Sequence, residues 1–241
     1  MRYFIELSYK GTNYHGWQMQ PDANSVQEEI NRALSTILQE EINILGAGRT
    51  DAGVHASQMF AHFDCQKVLD ETYVYKFNSI LPNDIVIYDL TEVSDETHAR
   101  FDAVSRSYEY HIWLGRNPFL LDTSWQLYQQ DLNVDVMNNA AQILLDYTNF
   151  ECFSKVKTDV KTFDCTITHA EWKLEHKKLI FCITANRFLR NMVRAIVGTL
   201  LEVGQGKKTV EDFRRVIESK KRSEAGLSVP AQGLFLTEVK Y

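Results

Sequence analysis

The stretch GAGRTDAGVHA, residues 46–56, is the most informative part of this chain. It places one carboxylate, that of Asp51, in a loop among three glycines, with Arg49 two residues before it. Because glycine has no Cβ, such a loop can approach the backbone of a ligand closely. An arginine near the carboxylate holds it ionised or contacts a phosphate. The alternative is an ordinary turn, in which the aspartate bonds its own backbone.

The composition is typical of a globular protein and contains no sign of a membrane span. The 241 residues are 44% apolar, which suffices for one large core or two smaller ones. No run of 18 apolar residues is present, and the first residues read as a strand rather than as a signal peptide. We therefore expect a cytoplasmic protein without membrane contact.

The cysteines do not form a recognisable metal or redox motif. They are widely spaced, without a Cys-x-x-Cys pair, at Cys65, Cys152, Cys165 and Cys182. This spacing predicts neither a zinc site nor a redox centre. We expect four buried thiols in a reducing compartment, and no metal.

The charge is distributed unevenly along the chain. A formal net charge of −6 argues against a general nucleic-acid binder. Residues 186–222, however, contain ten Lys or Arg and only four acids, so the net charge of this segment is +6 and that of the rest of the chain is −12. A local basic face binds polyanions, because the local field governs the encounter. The alternative is two amphipathic helices with solvated faces, and the same choice applies to Lys155, Lys157 and Lys161.

Hydrophobic periodicity predicts two halves of similar composition. In the first half we predict strands at 2–9, 42–45, 58–63 and 85–93, and helices at 25–38 and 73–79. In the second we predict strands at 104–114, 162–174, 179–185 and 233–241, and helices at 134–145, 188–203 and 210–219. Ser25 and Glu28 have the spacing of a capping box. Strands and helices without a regular βαβ series indicate an α+β fold. We predict domains at residues 1–102 and 103–241.

Several stretches, in order along nearly the whole chain, resemble the tRNA pseudouridine synthase A family. They are YKGTNYHGWQMQP (9–21), SVQ (25–27), GRTDAGVHA (48–56), LPNDI (81–85), HARF (98–101), YEY (108–110), FLRNMVRAIVG (188–198) and GLFL (233–236). The chain departs from the family at Arg190-Asn191, where Tyr-His is common. Residues 150–162 match weakly.

The resemblance implies an enzyme that isomerises uridine to pseudouridine in the anticodon stem-loop of tRNA, at positions 38, 39 and 40. It implies two ferredoxin-like halves, each with a largely antiparallel sheet flanked by helices, and an active-site cleft between them. It also implies a homodimer that uses no metal and no organic cofactor.

The resemblance makes Asp51 the catalytic residue. A carboxylate serves this reaction by attacking C1′ of the sugar or C6 of the base, or as a base at C2′, and the sequence leaves these routes open. Burial in a pocket raises the pKa of a carboxylate, so a cation is needed to keep it ionised. By resemblance that cation is Arg194. Its apolar neighbours in the chain predict a partly buried and paired side chain, against the alternative of a solvated helix residue.

The resemblance places the other site residues around the target base. Arg49 would occupy the space that a flipped-out base leaves, or instead form a structural ion pair. Tyr108 would stack on the uracil and relay a proton from C5, although Tyr108 and Tyr110 also fit an ordinary strand. Leu234 would form an apolar floor under the base, or be a core residue. Arg190 adds a positive charge near the bound RNA.

Two other functions remain open from the sequence. A non-catalytic RNA-binding module explains the basic segment but gives the Asp51 loop no purpose. A small-molecule hydrolase with Asp51 as nucleophile leaves the basic segment unexplained, and no second acid or base accompanies it.

Overall fold

The structure, a computed structural model, describes residues 1–128, 131–156 and 160–241. These residues form two compact units. One consists of Met1–Val104 with Phe235–Tyr241, and the other of Ser105–Leu234. Most of the terminal strand, which we assign from the sequence to the second half, is thus grouped with the first unit.

The first unit has the element order of a ferredoxin-like motif. Its elements are β1 (Arg2–Tyr9), α1 (Val26–Leu38), β2 (Leu45–Gly46), β3 (His55–Asp64), α2 (Thr72–Asn78) and β4 (Ile85–Val93). The strand order is β4-β1-β3, with β2 on β3, and each of these neighbours is antiparallel. This is the order that βαββαβ units of this type adopt.

The second unit combines an antiparallel sheet with longer helices. Its elements are β5 (Ser105–Leu114), β6 (Trp125–Leu127), α3 (Val134–Gln142), β7 (Ile167–Glu175), β8 (Lys178–Ala185), α4 (Met192–Gly204) and α5 (Val210–Ser219). β8 lies between β5 and β7 and is antiparallel to both, whereas β6 runs parallel to β5. Helix α3 packs on β7 and α4, and α5 packs on α3 and α4.

The last of the strands is β9 (Leu234–Lys240). Within the first unit it pairs in parallel with the beginning of β3, through Phe235 opposite His55 and Leu236 opposite Ala56. The prediction of an α+β fold with largely antiparallel sheets flanked by helices is confirmed.

The helix starts follow from local capping. The Ser25 hydroxyl accepts the Glu28 N–H at 3.2 Å, so the predicted start of α1 is confirmed. At the start of α5, the Thr209 hydroxyl accepts the Asp212 N–H and the Asp212 carboxylate accepts the Thr209 N–H. This capping box, which we did not predict, fixes a helix whose bounds, 210–219, agree with the sequence prediction.

Several predicted elements are wrong in extent, among them the strand predicted at 162–174, which starts at Ile167. Two of the differences have a clear local cause. The strand predicted at 42–45 is reduced to Leu45–Gly46, because side chains of α1 accept the backbone N–H groups that would pair in a sheet. Ser35 Oγ accepts the Ile42 N–H and Asn31 Oδ1 accepts the Ile44 N–H, both at 2.9 Å. The helix predicted from residue 188 starts at Met192, since Asn191 has a left-handed φ of 66°.

The cysteine prediction needs one correction. Three of the thiols are buried, whereas Cys182 on β8 is half-buried. Burial raises the pKa of the Cys152 thiol to about 12, which makes it a poor nucleophile at neutral pH.

Candidate active site

The loop that carries Asp51 connects β2 with β3. At its first end, the Ala47 N–H donates to the Phe60 carbonyl at 2.8 Å. Just before it, Gly46 lies against the indole of Trp17, where a Cβ would come within 2.6 Å of the ring. Glycine is therefore required at position 46 by a close contact within the protein.

A supporting segment, residues 9–17, holds the middle of this loop. The Tyr9 and Thr50 hydroxyls hydrogen-bond at 2.8 Å. The Thr50 carbonyl accepts the Trp17 N–H at 3.3 Å, and the Tyr14 carbonyl accepts the Gly53 N–H at 3.2 Å. The backbone on both sides of Asp51 is thus tethered independently of its carboxylate.

Asp51 itself begins a tight turn. Its carbonyl accepts the Val54 N–H at 3.1 Å, and Gly53 within the turn has a φ of +78°, which glycine adopts without strain. The Asp51 side chain is half-buried and that of Arg49 is exposed. A Cβ at Gly48 would have no neighbour within 4 Å, so this side of the loop is open.

His55 closes the other end of the loop. Its side chain is buried, its Nδ1 accepts the Gly11 N–H at 3.0 Å, and its ring stacks on Phe235 with centroids 4.6 Å apart. His55 and Trp17 therefore shape the loop. His15, by contrast, is exposed and bonds Asn24 at 2.7 Å.

The LPNDI stretch at 81–85 contributes through Asp84. The Tyr14 hydroxyl donates to the Asp84 carboxylate at 2.6 Å, and the Lys10 N–H donates to the Asp84 carbonyl at 2.9 Å. Burial and this carboxylate raise the pKa of Tyr14. Asp84 is thereby connected through Tyr14 to Gly53 of the Asp51 loop, a role that the sequence alone did not indicate.

In the second unit, Tyr108 and Tyr110 lie two residues apart on β5. Tyr110 is fully buried and donates to the Pro230 carbonyl at 2.8 Å, so it is a structural residue. Tyr108 is half-buried, and its ring meets Phe188 edge-on at 5.1 Å between centroids. This contact fixes the plane of the Tyr108 ring.

Arg194 is half-buried on α4, while its neighbours from Met192 to Leu201 are buried. Its Nε donates to the Val229 carbonyl at 2.7 Å, and the Val229 N–H donates back to the Arg194 carbonyl at 3.2 Å. The guanidinium is therefore oriented by a backbone group from outside the helix.

Val229 belongs to a segment, residues 225–230, that is held by α4 and by Arg222, which follows α5. Arg222 donates to the carbonyls of Ala225 and Gly226, and the Thr199 hydroxyl accepts the Gly226 N–H at 2.9 Å. A Cβ at Gly198 would overlap the Leu227 carbonyl oxygen. Only glycine at position 198, one turn after Arg194, permits this approach.

Arg190 and Leu234 differ in their surroundings. The Arg190 side chain is exposed just before α4, and its carbonyl accepts the Lys155 N–H at 3.0 Å. Next to it, the Asn191 side chain donates to the Ser228 hydroxyl at 2.5 Å, so it also holds the 225–230 segment. Leu234 is buried, with 6% of its surface exposed.

The structure distributes the predicted site residues over the two units. Asp51 and Arg49 belong to the first unit, and the second holds Tyr108, Arg190, Arg194 and Leu234. The pairing of Asp51 with Arg194 stays a prediction, as do the roles of all six residues. Lys157 lies outside the described residues.

Neither metal ligands nor a membrane helix are found in the described ranges. Across residues 1–128, 131–156 and 160–241, no group of three His, Cys, Asp or Glu side chains is placed to hold a metal ion. Within the same residues, no helix has the length and apolar character needed to cross a membrane.

Comparison with known proteins identifies the family of this α+β protein. Residues 140–241 match the family model described as tRNA pseudouridine synthase. The chain is 54% identical to tRNA pseudouridine synthase A of Bacteroides thetaiotaomicron, over 100% of this chain and 90% of the relative. Identity to the proteins of the same name is 51% in Bacteroides fragilis and 38% in Anoxybacillus flavithermus, with 96% of each relative covered.

Sequence identity of this degree over the full chain places this protein in the class of RNA-modifying isomerases. The chain belongs to the tRNA pseudouridine synthase family, whose enzymes isomerise uridine in tRNA.

Proposed function

We propose that this enzyme converts uridine to pseudouridine at positions 38, 39 and 40 of the tRNA anticodon stem-loop, with Asp51 as the covalent or base catalyst. The observation that best supports this proposal is the geometry of the Asp51 loop. Its backbone is held through Thr50 and Gly53, while the loop is open at Gly48. A half-buried carboxylate on a fixed and accessible loop suits a catalyst that must reach a ribose or base of a bulky substrate.

The reaction breaks the bond between C1′ and N1 of uracil and forms a bond between C1′ and C5. The hydrogen on C5 leaves as a proton, and N1 gains a proton. The Asp51 carboxylate acts at C1′, C6 or C2′, and Arg194 stabilises its ionised form. The orientation of Arg194 by Val229 supports this assignment, because a fixed guanidinium needs no reorganisation when the carboxylate reacts.

The remaining residues bind the flipped-out base. Tyr108 stacks on the uracil and relays the C5 proton, Leu234 lies beneath the ring, and Arg49 occupies the space that the base vacates. The exposed guanidinium of Arg49, two residues from Asp51, supports its role. Arg190, also exposed, contacts the RNA backbone.

We further propose that the protein works as a homodimer in the cytoplasm, with tRNA as its partner and with no metal or organic cofactor. The carboxylate chemistry described above requires neither. Sedimentation velocity measures the oligomeric state, and a monomer at micromolar concentration that retains full activity would contradict the dimer.

Tritium release from tRNA labelled at C5 of uridine tests the proposal, because that hydrogen is lost only when C5 becomes bonded to the sugar. The wild-type protein is compared with Asp51→Asn, which keeps the size of the side chain but removes its charge. Release by the wild type alone supports the assignment. Release by both proteins would show that Asp51 is not the catalytic residue. Binding of tRNA without release by the wild type supports a non-catalytic RNA-binding protein.

Separate substrates test position and specificity. Anticodon stem-loops with cytidine at 38, 39 or 40 identify which uridines react. Turnover of free uridine would instead support a small-molecule enzyme.

A further inference from the structure

A concave basic surface lies along one side of α5, and none of the residues assigned to chemistry lines it. We call it the α5 groove. It has a volume of about 350 Å³ and is lined by Lys207, Lys208, Arg215 and Lys221, with the acids Asp212 and Glu224. These six charges sum to +2, on a chain whose net charge is −6.

The structure divides the basic segment 186–222 into two groups. Some of its arginines serve the fold: Arg194 and Arg222 bond backbone carbonyls, and Arg214 lies 3.6 Å from Glu211 and 3.4 Å from the Tyr147 hydroxyl. Lys207 and Lys221, at opposite ends of α5, are exposed and line the groove. Four of the ten cations of the segment therefore line one concave surface.

The acids in the groove neutralise these cations only in part. The Asp212 carboxylate accepts both the N–H and the hydroxyl of Thr209, and its contact with the exposed Arg215 is a single one at 3.2 Å. Lys208 lies 3.7 Å from Glu202. The pair of Arg215 with Asp212 is exposed, and exposed ion pairs contribute little stability, so a phosphate can replace this acid at low cost.

The groove is also long enough for a segment of a polymer chain rather than for a single ion. Its lining residues on α5 run from Asp212 to Ser219, and the seven helical steps between these two residues rise about 10 Å. Lys207 and Lys208 precede this stretch of α5, Arg215 lies within it, and Lys221 follows it. Such a row fits consecutive phosphates of a polynucleotide.

We propose that the α5 groove binds backbone phosphates of the tRNA substrate, at a place distinct from the residues that contact the target base. This inference rests on the proposed function, since it takes tRNA as the ligand. The contacts are electrostatic and independent of base sequence, so they contribute affinity and orientation but no catalysis.

The test compares two double variants that each remove two positive charges. Lys207→Ala/Lys221→Ala changes the groove, whereas Lys173→Ala/Lys177→Ala changes exposed lysines at the β7–β8 hairpin. The dissociation constant for tRNA is measured from 50 to 200 mM salt. We expect the groove variant to bind about tenfold more weakly at low salt, with the slope of log K against log salt reduced by roughly 1 to 2. The hairpin variant should bind as the wild type does.

Further measurements separate this proposal from others. At saturating tRNA the groove variant should keep the wild-type kcat, and Lys207→Arg/Lys221→Arg should restore affinity. Equal losses in both alanine variants, or no loss in either, would overturn the proposal. So would displacement of tRNA by polyglutamate at equal phosphate and carboxylate concentrations, which would indicate an acidic protein ligand. If the wild type binds tRNA through the groove yet releases no tritium, the proposed function fails and the groove stands.

Discussion

Arg194 and Val229 are joined by two hydrogen bonds, one from the guanidinium Nε to the Val229 carbonyl and one from the Val229 N–H to the Arg194 carbonyl. The second bond fixes the backbone that receives the first. A side chain held in this way has a single orientation before any substrate binds.

The first prediction concerns this arginine. Arg194→Lys keeps the positive charge but loses the planar guanidinium. That group can bond Val229 while its other N–H donors remain available to a carboxylate. We expect kcat to fall about tenfold or more, in line with ~1.5–3 kcal/mol for a hydrogen bond to a charged group, and KM for tRNA to change little. Single-turnover tritium release measures this. Arg190→Lys is the control, and similar kcat values for the two variants would contradict the prediction.

The second prediction concerns the Asp51 loop, whose backbone is held independently of the Asp51 carboxylate. Because the tethers of the loop are backbone bonds at Thr50, Asp51 and Gly53, Asp51→Ala should abolish turnover without unfolding the loop. We expect the melting temperature and the tRNA affinity to stay close to those of the wild type, since phosphate contacts elsewhere carry most of the affinity. A large loss of tRNA binding would show that Asp51 acts mainly in recognition.

The third prediction uses two glycines of the same loop. In Gly46→Ala the new Cβ would meet the Trp17 ring, so we expect a destabilisation of about 1–3 kcal/mol in urea unfolding. In Gly48→Ala the Cβ meets no protein atom, and the stability should stay within roughly 0.5 kcal/mol. If RNA approaches the loop at Gly48, this second variant should lose kcat/KM while remaining stable. Equal stabilities of the two variants would contradict the prediction.

The fourth prediction concerns Gly198. Replacing glycine by alanine inside a helix usually stabilises it by about 0.5–1 kcal/mol. Here the sign should reverse, because the Cβ would overlap the Leu227 carbonyl oxygen and push the 225–230 segment away from α4. We expect a lower melting temperature together with a lower kcat, since Val229 orients Arg194. Stabilisation by Gly198→Ala would show that the segment can move without cost.

The fifth prediction is a pH dependence of stability that arises from His62. This buried side chain on β3 accepts the Ala99 N–H through Nδ1 at 3.1 Å. Burial, His98 and Arg2 lower its pKa to about 4, against the opposing effects of Asp64 and Asp102. Between pH 4 and 6.5 the unfolded chain therefore binds more protons, so the free energy of unfolding should fall as pH drops through this window, by about 3 kcal/mol.

The matched variants for this measurement are His62→Asn and His176→Asn. The first keeps an acceptor for the Ala99 N–H and does not titrate, so its stability should depend less on pH than that of the wild type. The second replaces an exposed histidine with a φ of 56°, which asparagine tolerates, and should leave the curve unchanged. Parallel curves for the wild type and His62→Asn would rule out His62 as the source.

The sequence predicted the elements whose signals are local. The extent of α5 follows from its periodicity, and the α+β class follows from the order of strands and helices. The start of α4 was wrong because Asn191 adopts a left-handed backbone, a choice that asparagine permits but that periodicity does not reveal.

For the site, the sequence singled out the Asp51 loop but not its supports. The bond from Tyr14 to Asp84 joins residues 70 positions apart, and that from Arg194 to Val229 joins residues 35 apart. Asp84 lies in the LPNDI stretch, but neither it nor Val229 shows in the sequence which residue it contacts, because a backbone carbonyl or a single carboxylate can serve many neighbours. Phe188, which fixes the Tyr108 ring, reads in the sequence as an ordinary apolar helix residue.

The stacking of His55 on Phe235 has a consequence for how the protein is made. These rings meet across 180 positions of the chain, beside the parallel pairing of β3 with β9. During synthesis the Asp51 loop and its supporting segment emerge first, and the strand that closes the base of the loop follows about 180 residues later. A nascent chain therefore holds an unclosed loop until Phe235 and Leu236 leave the ribosome. Competence to act on tRNA should arise abruptly, once this strand has emerged and paired with β3.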